Sequence, residues 1–184
     1  AVANVIRECD GNVDYLSFWT FSEVFEEGGP APAPFVRFGV RGMAGINKPA
    51  FHDFALLHKL GEVRIANSSP DVIVTKLPDG SLAVAVWNLV ATGEDPRGKK
   101  VSLRFTGVEA DAPVSILRVD SKHGNVMPAY EAIGSPPSPT AAQVQQLNRE
   151  TQPGPPERLQ LRNGSVDLEV GSNALLLVQV GRAQ

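Results

Sequence analysis

Trp19, Glu23, Glu26 and Glu27 share one short run, Asp14-Tyr15-Leu16-Ser17-Phe18-Trp19-Thr20-Phe21-Ser22-Glu23-Val24-Phe25-Glu26-Glu27. An indole offers a flat apolar face to the C–H groups of a pyranose, and carboxylates accept hydrogen bonds from its hydroxyls. Each residue has a plainer reading beside this one. A Trp in a strand is either a sugar platform or a core aromatic. Glu26 and Glu27 are either ligands of ring hydroxyls or solvated loop charges. They do not read as a catalytic pair, because a retaining glycosidase needs two carboxyls ~5 Å apart in opposite roles and neighbours in a loop rarely meet that demand. Glu23 reads as structural, and Phe25 as a wall or floor of the pocket.

The positioning element is a strand over residues 14–22. Tyr15, Phe18, Trp19, Thr20 and Phe21 suit a pleated, packed surface. Gly28, Gly29 and Pro30 then open a loop over residues 28–47, whose first half is stiffened by Pro30, Pro32 and Pro34. A strand that carries an aromatic and two acids at its C-terminal end is how a (β/α)-barrel builds a sugar site. Before it, Val2, Val5, Ile6 and Cys9 fall at helical spacing and Gly11 suits the stop. After it, Asn47 is a candidate cap and Pro49 a first-turn residue of a helix whose stripe includes Phe51, Phe54, Leu57 and Leu60, closed by Gly61.

From about residue 62 the period changes to two. Residues 72–77 and 81–88 flank Pro78-Asp79-Gly80 as a hairpin. Residues 101–105 and 114–120 alternate as two further strands. Residues 159–161 and 166–170 flank Asn163-Gly164 as a second hairpin, and residues 174–180 read as a buried strand. About seven short strands predict an antiparallel β-sandwich. One short helix is expected after Thr140, ended by Gln152-Pro153-Gly154. Trp87, in an apolar strand, reads as core.

The run "DYLSFWTFSEVFEEGGPAPAPF", followed by "GINKPAFHDFALLHKLG", resembles the last barrel strand, loop and helix of glycoside hydrolase family 39, on its β-xylosidase side. The resemblance is close over the first third of the chain and weaker beyond. It implies a mainly β fold: the last strand and helix of a (β/α)8 barrel (residues 1–61), then an antiparallel β-sandwich with one short helix (residues 62–184). It implies the C-terminal part of a retaining enzyme that removes nonreducing-end xylose, with Trp19, Glu26 and Glu27 binding the sugar. The family's acid/base lies in an Asn-Glu-Pro motif and its nucleophile on the seventh strand; neither motif occurs here, so no catalytic residue is assigned. Xylose or a xylo-oligosaccharide is the expected ligand. The remainder of the barrel, or a second chain, is the expected cover for the apolar strand, with homo-oligomers a further option. A noncatalytic carbohydrate-binding or structural fragment is the alternative.

Bulk properties exclude several classes. The 184 residues carry a net charge of −3, so no broad basic surface is expected for nucleic acid or anionic lipid. No apolar run reaches the ~18 residues of a membrane span. The first residues lack the basic and apolar regions of a leader, and the chain does not begin with Met; a piece of a longer protein is the expectation, and compartment stays open. The single cysteine, Cys9, allows no internal disulfide. No phosphate loop, serine elbow or zinc-binding helix motif is present, so no cofactor or metal is expected. His52 and His58, six apart, sit on different helix faces. Asp120, His123 and Asn125 offer too few oxygens for calcium and read as a solvated turn.

Overall fold

The computed structural model describes residues 1–23 and 38–181. The chain is mainly β and its sheets are antiparallel. In chain order the elements are α1 (Val2–Cys9), a 3₁₀ turn (Met43–Gly45), α2 (Pro49–Leu57), β1 (Val63–Ile65), β2 (Val72–Lys76), β3 (Leu82–Trp87), β4 (Lys99–Arg104) and β5 (Pro113–Val119). Then come α3 (Met127–Ala132), α4 (Ala141–Glu150), β6 (Glu157–Gln160), β7 (Ser165–Val170) and β8 (Leu175–Val180).

One sheet has six strands in the order β1-β2-β3-β8-β5-β6; a second pairs β4 with β7. The side-chain period of two sorts each central strand between two cores. Val84 and Val86 of β3 join Leu176 and Val178 of β8 beneath β4 and β7. Ala83, Ala85 and Trp87 point to the other face, with Leu175 and Leu177, where α1 and α2 pack. Small residues at 83 and 85 let the helices approach closely. Strands buried on both faces must be apolar throughout, which is why residues 82–87 and 175–178 read as continuous hydrophobic runs. Each fully buried Leu, Ile or Val contributes about 1.5–3 kcal/mol, and both strands place such residues in the two cores.

The tight turn at Asp79-Gly80 forms as the sequence predicts. Gly80 adopts φ +87°, and the Asp79 carboxylate accepts from Ser81 N–H at 2.9 Å and from its hydroxyl at 2.6 Å. Thr140 caps α4 in a capping box with Gln143. Trp87 is a core residue, 2% exposed.

Several expectations need correction. Residues 14–22 form no sheet strand: a ladder needs partners along a flank, and among the described residues the segment makes only an isolated parallel bridge, Ser22 to Arg41. The Asn163-Gly164 turn exists, with both residues at positive φ and Arg162 paired antiparallel with Ser165 across it, but the pairing goes no further into the two strands. The arm before it, β6, pairs with β5, and the arm after it, β7, pairs with β4. The chain changes sheets at Leu161, which is buried in the core between them. The helical region after β5 holds two helices, not one; α3 starts with Pro128 in its first turn, where a missing N–H costs nothing. The cap of α2 is Lys48, one residue later than Asn47, and it makes no side-chain capping hydrogen bond; the Asn47 N–H donates to Asn148 on α4.

Candidate functional site

Residues 20–23 run beside residues 39–41, held by backbone hydrogen bonds. Val40 N–H donates to the Thr20 carbonyl (3.0 Å), Arg41 N–H to the Phe21 carbonyl (2.9 Å) and Glu23 N–H to the Arg41 carbonyl (3.1 Å). The approach is so close that a Cβ on Gly39 would lie 2.8 Å from both the Glu23 nitrogen and its Cγ. Only glycine fits there without displacement.

Glu23 is buried and its carboxylate meets Lys48 Nζ at 2.5 Å. A charge this buried is costly without a counter-charge and hydrogen bonds, so Glu23 is anchored structurally, at the point where residues 20–23 meet the start of α2. Beside this pair, the Arg41 guanidinium lies 5.9 Å from the Phe21 ring centre and 5.8 Å from that of Phe51. Both distances suit cation–π attraction. Arg41 Nη2 also donates to the Gly45 carbonyl at 2.7 Å.

Trp19 is 67% exposed, and the peptide that follows it is cis. It lines a cleft of about 700 Å³ whose other walls include Val5, Ile6, Val13 and Phe54. Phe18 turns into the helices and meets Phe54 edge-on at 5.3 Å. Tyr15 and Phe21 are exposed along the same run. The segment therefore presents aromatic surface, suited to the apolar face of a ring or to further protein. Glu26 and Glu27, with Phe25, lie outside the described residues, so the structure places Trp19 alone among the three candidate sugar ligands.

The sequence missed Lys48, Arg41 and Asn148. Lys48 was visible only as the start of Lys-Pro-Ala-Phe, and its partnership with Glu23 spans 25 positions. Asn148 lies on α4, yet its Oδ1 accepts from Asn47 N–H at 2.8 Å and its Nδ2 donates to the Gly45 carbonyl at 3.0 Å.

The remaining titratable groups are explained locally. His52 is buried, and burial holds its pKa below the ordinary imidazole value. Burial pushes the neighbouring Asp53 up to about 6. Burial also raises Asp120, but this is outweighed by hydrogen bonds from Lys122 N–H, the His123 ring and His123 N–H, so it sits below the usual carboxylate range. These bonds, at 2.8 to 2.9 Å, tie Asp120 and His123 into one turn. Among the described residues no group of three His, Cys, Asp or Glu side chains could hold a metal, and no helix is long and apolar enough to cross a membrane.

Comparison with known proteins adds the following. The model of "Glycosyl hydrolases family 39" matches residues 1–162. A β-xylosidase of Geobacillus stearothermophilus is 29% identical over 182 residues, 97% of this chain and 36% of that protein. A β-xylosidase of Caldicellulosiruptor saccharolyticus is 29% identical over 154 residues, 79% of this chain and 31% of that protein. The chain thus spans about a third of these curated relatives. Among solved structures, a monomeric β-xylosidase from Caulobacter crescentus CB15 superposes with a TM-score of 0.82 at 23% identity, over all of this chain and 41% of its own. A family 39 β-xylosidase structure from Caulobacter crescentus gives 0.78 at 26% identity, over 98% of this chain and 38% of its own.

Proposed function

The chain belongs to glycosyl hydrolase family 39, and from that membership we propose that it is the C-terminal part of a retaining β-xylosidase acting on nonreducing-end xylose. The observation that carries this is the span of the match: a β-xylosidase is similar along 97% of this chain, which accounts for 36% of that enzyme. The missing two thirds would hold the general acid/base and the nucleophile, the two carboxyls about 5–5.5 Å apart that a retaining mechanism requires.

Residues 1–61 would then be the end of the catalytic barrel and residues 62–184 an accessory sandwich. What supports this division is the first part's build: α1, an aromatic segment left exposed at Tyr15, Trp19 and Phe21, and α2 packed on the sheet. Exposed aromatics in such number are suited to burial against further chain. The rest of the barrel is the natural cover.

Within the whole enzyme Trp19 supplies the platform for the xylose ring, and Glu26 and Glu27 accept from its hydroxyls. None of the three breaks a bond. The buried Glu23–Lys48 pair fixes the chain at residue 23, three positions before Glu26. Steady-state kinetics of the full-length enzyme on an aryl β-xyloside test this. Trp19→Ala and Glu27→Gln should raise KM about tenfold or more, since ring stacking and a charge-assisted hydrogen bond are each of the order of 1–3 kcal/mol. Unchanged KM in both variants would remove these residues from the sugar site.

A further inference from the structure

The insertion between β5 and β6, residues 120–156, belongs by sequence to the sandwich, yet it reaches residues 42–47 beside the candidate site. Ile46 is fully buried among Val126, Tyr130, Val144 and Leu147 of that insertion. Asn148, one residue beyond Leu147, spends both halves of its amide on the same loop, accepting from Asn47 N–H and donating to the Gly45 carbonyl. The Gly45 carbonyl also accepts from Arg41 Nη2, and the Gly42 N–H donates to Ile46 O at 2.8 Å. Arg41 in turn sets the register of the site segment, through its backbone bonds to Phe21 and Glu23 and its guanidinium over the Phe21 ring. A continuous set of contacts therefore runs from α4 to residues 20–23.

We propose that Asn148 is a positioning residue for the sugar subsite: from α4 it fixes the backbone of residues 45–47, and through Arg41 it holds residues 20–23, next to Trp19. This rests on the reading of Trp19 as a sugar ligand. The role needs an amide. Aspartate keeps the acceptor for Asn47 N–H but sets an oxygen against the Gly45 carbonyl, and leucine offers neither bond. The sandwich thus contributes to substrate binding without touching substrate.

The test compares Asn148→Leu, Asn148→Asp and Thr140→Ala in the full-length enzyme. Thr140→Ala removes the α4 cap and serves as a control that loosens the helix without touching the loop. Hydrogen exchange at the amides of Glu23, Val40 and Arg41 is read without substrate, and KM and kcat are read on an aryl β-xyloside. Asn148→Leu should speed exchange at these amides and raise KM about tenfold with a much smaller change in kcat, Asn148→Asp should fall between, and Thr140→Ala should lower Tm with KM unchanged. Unchanged exchange in Asn148→Leu overturns the clamp. Faster exchange with unchanged KM overturns the link from clamp to sugar. A wild type that turns over no β-xyloside overturns the β-xylosidase reading instead, and the exchange data still decide the clamp.

Discussion

Gly61→Ala tests how the helical part is joined to the large sheet. Gly61 lies between α2 and β1, and its N–H donates to the hydroxyl of Thr75 in β2 at 2.8 Å. A Cβ at Gly61 would stand 2.1 Å from the Lys76 carbonyl oxygen, 2.8 Å from its carbon and 3.3 Å from Leu77 N. Ordinary carbon–oxygen contact begins near 3.3 Å, so the two backbones must part by about 1 Å. Lys76 cannot yield freely, because β2 is paired on both sides, with Val63 of β1 and Leu82 of β3. Overpacking of this kind costs about 1–3 kcal/mol, and we take the upper end because every atom struck is backbone. Loss of the Gly61–Thr75 hydrogen bond adds about 1 kcal/mol. For a protein of this size, a total near 3–4 kcal/mol corresponds to a fall in Tm of roughly 10 °C. Urea unfolding followed by circular dichroism measures it. Gly98→Ala is the control, since its Cβ would meet Val170 O at an ordinary 3.4 Å. A Gly61→Ala protein within 1 kcal/mol of wild type would refute the reasoning and mean that α2 leaves the sheet by a looser path.

Two further predictions concern the buried polar groups of the helix-facing core. His52 titrates below its unfolded value near 6.5 because burial disfavours the cation. The unfolded chain therefore binds this proton first, and the His52 contribution to stability is present above about pH 6.5 and lost as pH falls through it, with a slope of at most about 1.4 kcal/mol per pH unit. Asp53 works in the opposite sense, since its carboxyl is raised to about 6 and stability falls as pH rises from 3.8 towards that value. The difference between wild type and His52→Gln, measured by urea unfolding from pH 8 to pH 5, isolates His52; it should shift in favour of the variant on acidification, and parallel curves would contradict the assignment. Trp87 is buried with its Nε1 lacking a hydrogen-bond partner among the described residues. Trp87→Phe should cost only about 1–1.5 kcal/mol, because it removes that orphaned donor and keeps most of the ring, whereas Trp87→Ala should cost about 3–5 kcal/mol; equal losses by chemical denaturation would show that the indole nitrogen is satisfied after all.

Local signals were legible in the sequence. The Thr140 cap, the Asp79-Gly80 turn and the doubly buried β3 and β8 follow from a few neighbouring residues each. The sandwich class followed as well, because alternation and turn residues need no long-range knowledge. Pairing was harder. The Asn163-Gly164 turn looks like a hairpin from its residues, yet Leu161 carries the chain from one sheet to the other, and partner choice depends on β4 and β5 far upstream. Residues 14–22 have strand-forming types but, among the described residues, form a bridge only at Ser22, since propensity cannot create neighbours. At the candidate site, Trp19 was visible as an aromatic near acids. Lys48 under Glu23 and Asn148 on the 45–47 backbone were not, because contacts across 25 and about 100 positions leave no local pattern.

The most direct test of the central claim is hydrolysis of an aryl β-xyloside by the purified 184-residue chain beside the full-length enzyme, with sensitivity to a small fraction of an ordinary glycosidase rate. The account predicts turnover by the full-length enzyme and none by the chain. Turnover by the chain that survives repurification would place the catalytic pair among its own carboxylates and contradict the account; a full-length protein inert on β-xylosides would contradict it from the other side.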